Sequence, residues 1–413
     1  METQELLKGG YPVLKIENEY CLLDVFNEGL VIFNNETELN DYVEENSKKF
    51  SFHHNQSNNT GKIIFSMTSD CSLACPYCYV RGGERKEYLD PIVSNKVIDW
   101  FLDKGVRNIV IQFFGGEPTL NKDTIKHIID YAEEKGLAVK YELSTNGLIS
   151  DKDFCEYLLS NENITWIISL DGTKEIHDKQ RPIRKSFSET SSYDNAVEII
   201  KKVLERERRI KIRTTVTSIN VSVLPQIIEH FASIGIKLIH LEVFNPLGRG
   251  KYVKWLPDAN EYIDQFLKSV EVAEKLDVKV TQFGLFDLFN PSDLMCASQY
   301  KYRVVVMPNN RDLLFCLGAQ EEFGEIVKLL TIGHISNGNV ELDEGKMKAL
   351  PLNFSVNDID TCKDCFIKYV CKGICPALNG VRNGDWRAPD LYSCQIRNGI
   401  IKGLMLKLYN NVK

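Results

Sequence analysis

Apolar runs and amphipathic stretches alternate along the middle of the chain. Between about Gly61 and Phe283, short apolar runs typical of buried strands are separated by segments with helical spacing of apolar residues. The runs predict strands at 63–67, 109–113, 139–143, 166–170, 210–216 and 237–243. The amphipathic stretches predict helices at 94–103, 122–135, 151–159, 194–206, 224–234 and 261–275. Repeats of this kind predict an α/β fold with a parallel sheet, either doubly wound and open or part of a barrel.

The pattern changes on both sides of this segment. Residues 1–60 predict a small α+β module, with strands at 11–16, 20–26 and 29–33 and a helix at 36–49. Residues 286–413 predict short strands around Gly and Asn turns, at 304–307, 313–315 and 331–335. We therefore expect three parts, 1–60, 61–285 and 286–413.

Composition and charge narrow the class of protein. The 413 residues carry 50 basic and 57 acidic side chains, a net charge of −7, which argues against nucleic-acid binding through general basicity. The first residues do not form a signal peptide, and no apolar run approaches the ~20 residues of a membrane span. Twelve cysteines in such a chain indicate metal binding rather than disulfides. We expect a cytoplasmic protein without a nucleic-acid or membrane partner.

A compact cysteine motif follows the first predicted strand of the middle segment. Cys71, Cys75 and Cys78 stand in a CxxxCxxC pattern. Thiolates are soft ligands that suit iron–sulfur clusters, and three of them on a four-iron cube leave one iron open to a small molecule. A zinc site or a disulfide pair are the alternatives, but zinc needs a fourth ligand from elsewhere.

This motif, with an aromatic residue before its last cysteine, resembles the signature of radical S-adenosylmethionine (SAM) enzymes. Further segments in the order of that family are Gly115-Gly116-Glu117-Pro118, a third strand that ends at 144–147, a fourth that ends at 169–172, and the HDxxR-like run 177–181. The resemblance implies a partial (β/α)6 barrel in which Cys71, Cys75 and Cys78 are the catalytic cluster ligands and 5′-deoxyadenosyl radical forms from SAM. It implies SAM contacts for Tyr77, Gly115, Gly116, Glu117, Ser144, Asn146, Ser169, Asp171 and Arg181. Helix caps and turns are the alternative explanation for Ser144, Asn146, Ser169 and Asp171.

A second cysteine set lies near the end of the chain. The run Cys362-x2-Cys365-x5-Cys371-x3-Cys375, followed by Cys394 and preceded by Cys296 and Cys316, resembles the SPASM domain of radical SAM peptide maturases. The resemblance implies two auxiliary [4Fe–4S] clusters in addition to the SAM-binding one. It assigns Cys362, Cys365, Cys371 and Cys394 to one cluster, and Cys296, Cys316 and Cys375 to the other. A zinc ribbon is the alternative for the first four cysteines of the run.

The second auxiliary set is one cysteine short of a full cube. Sulfatase maturases of this architecture have a further cysteine soon after the Cys296 position and an Asp directly after the Cys316 position. This chain has no cysteine in 297–302 and has Leu317 at the second place. Both departures argue against sulfatase maturation. Cys21 and Cys155 remain, and buried free thiols are the ordinary explanation for them, although Cys21 is available as a ligand.

The resemblance implies an enzyme that modifies a ribosomally made precursor peptide. A thioether between a cysteine sulfur and a carbon fits best, because an open iron has room for a substrate thiolate. Carbon–carbon crosslinking, other radical modification of a peptide, a small-molecule substrate and a non-catalytic iron–sulfur scaffold or electron carrier are the alternatives. Residues 1–60 resemble a leader-binding module, or form an extension that packs on the barrel. Flavodoxin or ferredoxin is the expected reducing partner.

Overall fold

The first fifty residues form a small antiparallel sheet followed by a helix. The computed structural model describes residues 2–52, 59–187, 190–282, 288–295, 300–318, 324–336 and 338–413. The strand order in the N-terminal sheet is β1-β2-β3-β4. The strands are β1 Thr3–Lys8, β2 Tyr11–Ile16, β3 Glu19–Asp24 and β4 Gly29–Phe33. Helix α1, Glu36–Asn46, is shorter than predicted because Ser47–Phe50 tightens into a 3₁₀ turn. Strand β1 was not predicted, since it is a partly exposed edge strand without an apolar run.

A second, eleven-stranded sheet forms the body of the protein. Its parallel strands follow one another in chain order, and they confirm the predicted α/β fold with a parallel sheet. They are β5 Thr60–Ser66, β6 Asn108–Phe114, β7 Ala138–Thr145, β8 Ile164–Ser169, β9 Ile210–Val216, β10 Leu238–Val243 and the short β11 Lys279–Thr281. Because the order does not reverse within β5 to β11, right-handed crossovers place the helices of this segment on one face. The doubly wound alternative requires a reversal and is wrong.

Helices cover that one face and bury the core between themselves and the sheet. They are α2 Pro91–Asp103, α3 Lys122–Glu134, α4 Lys152–Ser160, α5 Lys174–Gln180, α6 Ser192–Glu205, α7 Leu224–Ser233 and α8 Ala259–Lys275. Alternate strand residues such as Ile111, Trp166 and Ile212 are fully buried against them. The other side chains of each strand lie on the opposite face, which we call the lumen face and which carries mostly polar side chains on β7 and β9.

The C-terminal third extends the same sheet instead of forming its own. Strand β12, Tyr302–Val306, pairs in parallel with β5, and three antiparallel strands follow it. These are β13 Asp312–Leu314, β14 Thr331–Ser336 and β15 Asn339–Leu342. The remaining helices are α9 Glu325–Leu330, α10 Glu344–Leu352, α11 Lys368–Cys371, α12 Pro376–Asn383 and α13 Leu391–Val412.

The N-terminal sheet packs on the C-terminal segment. A shared apolar cluster joins Leu14 and Cys21 to Ile367, Ile401 and Met405. At its edge the Tyr409 hydroxyl donates to the Glu19 carboxylate over 2.5 Å, and Lys413 forms an ion pair with the same group at 2.7 Å. The module therefore lies against α13 and the cysteine-rich end of the chain, whereas packing on the barrel was one of the two expectations. Among the described residues, none of the helices has the length and hydropathy to cross a membrane.

Candidate active site

The CxxxCxxC loop leaves β5 at the carboxyl end of the sheet. Its backbone is pinned to the loop after β6 by two hydrogen bonds, from Gly116 N to the Thr68 oxygen at 2.7 Å and from Glu117 N to the Asp70 oxygen at 2.8 Å. The approach is so close that a Cβ on Gly116 would lie 2.0 Å from the Asp70 oxygen, and Gly115 adopts φ +138°. Both positions require glycine. Gly115 and Gly116 thus set the position of the cysteine loop.

The three thiols of this loop are gathered in one buried cluster. Cys71 and Cys75 are buried and Cys78 is half-buried. Burial raises the pKa of Cys71 and Cys75, and the neighbouring thiols raise the pKa of Cys71 further. The N–H groups of Leu73 and Gly82 donate to the Cys71 and Cys78 sulfurs over 3.4 and 3.3 Å. Adjacent soft donors that receive N–H bonds fit an iron–sulfur cluster.

Two arginines that the sequence analysis missed hold this loop from outside. Arg184 donates to the Leu73 and Gly82 carbonyls at 3.1 and 2.8 Å, and Arg249 donates to the Cys75 and Gly82 carbonyls at 3.1 and 2.9 Å. Both guanidinium groups meet at one carbonyl, that of Gly82. Neither arginine stands in a motif with a spacing fixed relative to the cysteines, so the sequence held no signal for them.

Asp171 and Arg181 form a buried ion pair below the cysteine loop. Arg181 Nε and Nη2 donate to the two Asp171 oxygens at 2.8 and 3.1 Å, and the Tyr77 hydroxyl donates to Oδ2 at 2.5 Å. The Asp171 side chain is 0% and that of Arg181 11% exposed. The arginine also lies over the Tyr77 ring, 5.4 Å from its centroid. The structure therefore brings three predicted residues together, and Arg181 Nη1 makes no hydrogen bond to any other described residue.

The surroundings of this ion pair include three residues that were not predicted as site residues. Thr215 N donates to Asp171 Oδ1 at 2.9 Å, and the Asn220 side chain donates to the Asp171 carbonyl at 2.9 Å. His177 Nδ1 accepts from Asp171 N at 3.1 Å. Burial lowers the pKa of His177 to about 4, so the ring is neutral and can accept this bond. These contacts fix the turn after β8.

Glu117 points into the protein rather than toward the open end of the sheet. Its carboxylate is fully buried and accepts from Thr119 N and Oγ1, from Thr145 Oγ1 and from Asn146 N at 2.8–3.2 Å. Burial raises its pKa, and the hydrogen bonds oppose that shift. In this geometry Glu117 joins the loops after β6 and β7. Contact with SAM through its side chain stays a prediction.

The other predicted SAM contacts line the same edge of the sheet. Asn146 Nδ2 donates to Ser72 Oγ at 3.0 Å and approaches Cys71 Sγ at 3.9 Å. Ser144 accepts from the Gln112 amide at 3.1 Å, and Ser169 ends β8 next to Arg213 of β9. Ser144 and Ser169 lie on the lumen face. The predicted residues therefore surround the open end of the parallel strands, where ligands bind in folds of this type.

A second group of four thiols lies near the N-terminal sheet. Burial raises the pKa of Cys394 to about 12, and the thiols of Cys371, Cys362 and Cys365 contribute to that shift. Arg397, which was not predicted, donates to the Cys371 carbonyl at 2.8 Å and to its sulfur at 3.4 Å. These four are the set that the resemblance assigned to one auxiliary cluster.

Cys375 stands apart from that group. It precedes α12, and its thiol accepts N–H bonds from the first turn of that helix. Cys316 lies nearby, since a Cβ on Gly318 would contact both the Cys316 sulfur at 3.4 Å and Ala377 at 2.7 Å. The third predicted ligand, Cys296, lies outside the described residues.

The described residues contain no group of three His, Cys, Asp or Glu side chains arranged to hold a metal ion. A zinc ribbon needs four ligands on one ion, and it stays the alternative for this run of cysteines. In a cube, by contrast, each cysteine binds its own iron. Cys155 is buried in the main core, and Cys21 in the core of the N-terminal sheet.

A cavity of about 140 Å³ lies between the two cysteine regions. It is lined by Tyr79 of the CxxxCxxC loop, by the Gly115–Gly116 turn, and by Met307 and Leu317 from the C-terminal third. Burial raises the pKa of Tyr79 to about 12. The positive charge of Arg213 lowers this pKa, and the thiols of Cys78 and Cys316 raise it. Tyr79 thus lies close to a thiol of each region. The volume suits a side chain rather than a complete cofactor.

Comparison with known proteins identifies the middle segment of the chain. Residues 65–209 match the sequence profile of the Radical SAM superfamily. These residues therefore form a Radical SAM domain. The chain is 27% identical to the uncharacterized protein MJ0907 of Methanocaldococcus jannaschii over 69% of this chain and 90% of that one. It is also 26% identical to a probable GTP 3′,8-cyclase of Sulfurisphaera tokodaii, over 52% of this chain and 65% of the relative.

Two solved structures share the fold over most of the enzyme. The native anSMEcpe structure with bound AdoMet and Kp18Cys peptide has a TM-score of 0.66 at 20% identity. The match covers 85% of this chain and 98% of the anSMEcpe chain. Streptococcus suis SuiB bound to precursor peptide SuiA has a TM-score of 0.54 at 17% identity. That match covers 87% of this chain and 81% of the SuiB chain. At such identities the likeness shows the radical SAM fold.

Proposed function

We propose that the enzyme modifies a peptide, and that it forms a thioether between a cysteine sulfur and a carbon of that peptide. The observation that carries the proposal is the small cavity between the CxxxCxxC loop and Leu317, directly beside Cys316. A peptide side chain in this cavity lies close to both cysteine regions. Peptides bound to anSMEcpe and SuiB support this choice of substrate class. The match to a probable GTP cyclase makes a small-molecule substrate the alternative.

The chain's own residues supply the binding sites for the cofactors. Cys71, Cys75 and Cys78 would hold the SAM-binding cluster, and Asn146 and the Gly115–Gly116 turn would form the wall beside it. The free Nη1 of Arg181 suits the SAM carboxylate, since Nε and Nη2 are held by Asp171. When bound, the cluster and SAM supply a radical that removes a hydrogen atom.

The auxiliary sites follow the two groups that the thiols form. Cys362, Cys365, Cys371 and Cys394 would hold one cluster with four protein ligands. Cys316 and Cys375, together with Cys296, would hold the other with one iron open. That iron would deprotonate a substrate thiol and fix it beside the cavity.

The atoms and electrons of thioether formation balance simply. One hydrogen leaves the carbon as an atom and ends in 5′-deoxyadenosine, and the thiol proton is released. Formation of the C–S bond then leaves one electron for an acceptor, which the auxiliary group at Cys316 and Cys375 would supply. The product is therefore about 2 Da lighter than the precursor and has one free thiol fewer.

The test is co-expression of the enzyme with short peptides encoded beside its gene, followed by mass spectrometry. A thioether predicts the mass loss, loss of one site of iodoacetamide alkylation, and no crosslink when the precursor cysteine is changed to serine. The control is the enzyme in which the three loop cysteines are alanine. A lighter product that keeps all its free thiols refutes the thioether and favours a carbon–carbon bond. Turnover of a nucleotide without any peptide product refutes the substrate class.

A further inference from the structure

The lumen face carries a strong excess of positive charge. Adjacent strands place Arg303 next to Lys62, and Lys62 forms an ion pair with Glu142 at 2.6 Å. Basic side chains outnumber carboxylates among the described residues of this face. The basic ones are Lys62, Lys140, Lys211, Arg213, Lys279 and Arg303, and the acidic ones are Glu142 and Glu242. A surface on which charges of one sign predominate attracts ligands of the opposite sign.

The two carboxylates of this face are already engaged. Glu142 pairs with Lys62, whose side chain is only 7% exposed. Glu242 accepts from His240 Nε2 at 3.1 Å. Neither carboxylate forms an ion pair with Arg213 in the part of the chain that the structure describes.

Arg213 is the cation best placed to meet a ligand. It stands in the interior of β9, where its neighbours across the sheet are Ser169 on β8 and His240 on β10. Although it lies in the middle of the sheet, it is exposed, whereas Ile212 and Thr214 on either side are buried. The Arg213 side chain makes no hydrogen bond or ion pair with any residue in the part of the chain that the structure describes.

The position of Arg213 connects it to the reaction site. Ser169, its neighbour, ends β8 just before the Asp171–Arg181 pair. Thr215, two residues further along the same face of β9, contacts that pair through both its N–H and its hydroxyl. The charge of Arg213 also acts on Tyr79, which lines the cavity. A group bound by Arg213 is thus held on the lumen side of the reacting centre.

From this placement we propose that Arg213 binds the carboxylate of an Asp or Glu side chain of the substrate, so that the enzyme selects acidic peptides. The inference rests on the proposed peptide substrate and adds its chemical character. A guanidinium offers a planar pair of donors that matches a carboxylate. The SAM carboxylate is the other group with this chemistry, and the experiment separates the two.

The test measures retention of peptide libraries on the immobilised, reconstituted enzyme with SAM present. Two libraries with blocked termini have three random positions on each side of a fixed Glu or a fixed Gln, and Asp and Glu are left out of the random positions. We expect the Glu library to be retained about tenfold better, since a charge-assisted bond distinguishes the two. Arg213→Gln should abolish the preference and Arg213→Lys should keep part of it. The control Arg107→Gln, an exposed arginine just before β6 at the opposite end of the strands, should keep all of it.

The outcomes separate this inference from the proposed function. Equal retention of both libraries by the wild-type enzyme overturns the acidic preference but leaves a peptide substrate in place. Retention of neither library overturns both. The affinity for SAM is measured in parallel without peptide. If Arg213→Gln weakens SAM binding about tenfold and leaves the Glu preference intact, Arg213 binds SAM and the inference is wrong.

Discussion

The ion pair between Asp171 and Arg181 gives the sharpest test of the site geometry. Asp171→Asn removes the carboxylate that pairs with a guanidinium whose side chain is 11% exposed. The Asp171 carboxylate accepts two hydrogen bonds from Arg181, one from the Tyr77 hydroxyl and one from Thr215 N. In the Asn variant the side-chain NH2 group, which is a donor, would face some of these donors. Loss of one partner from a buried pair costs about 3–5 kcal/mol. We expect a loss of that size in the free energy of unfolding.

Urea unfolding of the reconstituted enzyme measures this cost. Trp166, fully buried in β8, reports on the strand that ends beside Asp171. The matched control is Asp194→Asn in the surface pair with Lys174, whose side chains are 54% and 55% exposed, and which should cost less than about 1 kcal/mol.

A double variant tests whether the cost comes from the pair itself. Adding Arg181→Gln to Asp171→Asn removes the uncompensated charge, so the two effects should fall short of additivity by about 2 kcal/mol or more. A loss for Asp171→Asn no larger than that for Asp194→Asn, or strict additivity in the double variant, would refute the reasoning.

Further predictions concern the loop, the clusters and the pH dependence. Gly116→Ala, whose Cβ would lie 2.0 Å from the Asp70 oxygen, should abolish 5′-deoxyadenosine formation. The control Gly29→Ala, whose Cβ would have its nearest neighbour at 3.8 Å, should not. Normal activity of the Gly116 variant would contradict the close approach. The reconstituted enzyme should bind about 12 irons per chain. A variant with alanine at all three loop cysteines should lose about 4 of these irons and should no longer cleave SAM. A count of about 4 irons in the wild type would contradict the auxiliary sites. Burial lowers the pKa of His177 to about 4 from its ordinary 6.5. As the pH falls below 6.5, the imidazole therefore takes up a proton in the unfolded chain but not in the folded one. The free energy of unfolding should then fall by about 1 kcal/mol between about pH 7.5 and 5.5. His177→Phe should flatten that slope, and an unchanged slope would contradict the assignment.

The parallel strands could be predicted from the sequence because burial on both sides selects apolar runs. All six predicted strands of the middle segment are present, and 210–216 is the observed β9. Strand β1 and helix α5 were missed because they carry many polar residues. The sequence also left open whether the sheet was doubly wound, since apolar runs do not encode the order of the strands.

The cysteine groups could be anticipated from spacing and resemblance, but their supports could not. Arg184, Arg249 and Arg397 act through contacts to carbonyls that are distant in the chain. Only the fold sets those contacts. Glu117 illustrates the same point, since a motif names the residue and the packing of the loops decides which way its carboxylate faces.

The docking of the N-terminal sheet on α13 has a consequence for synthesis. The apolar face that includes Leu14 and Cys21 is covered by Ile401 and Met405, which the ribosome adds almost four hundred residues later. Until then the first strands of the nascent chain expose this face, and contacts between such distant segments form slowly. The same late helix carries Cys394, the last thiol of its group. Closure of the N-terminal core and completion of that thiol group therefore wait for the same stretch of chain to emerge.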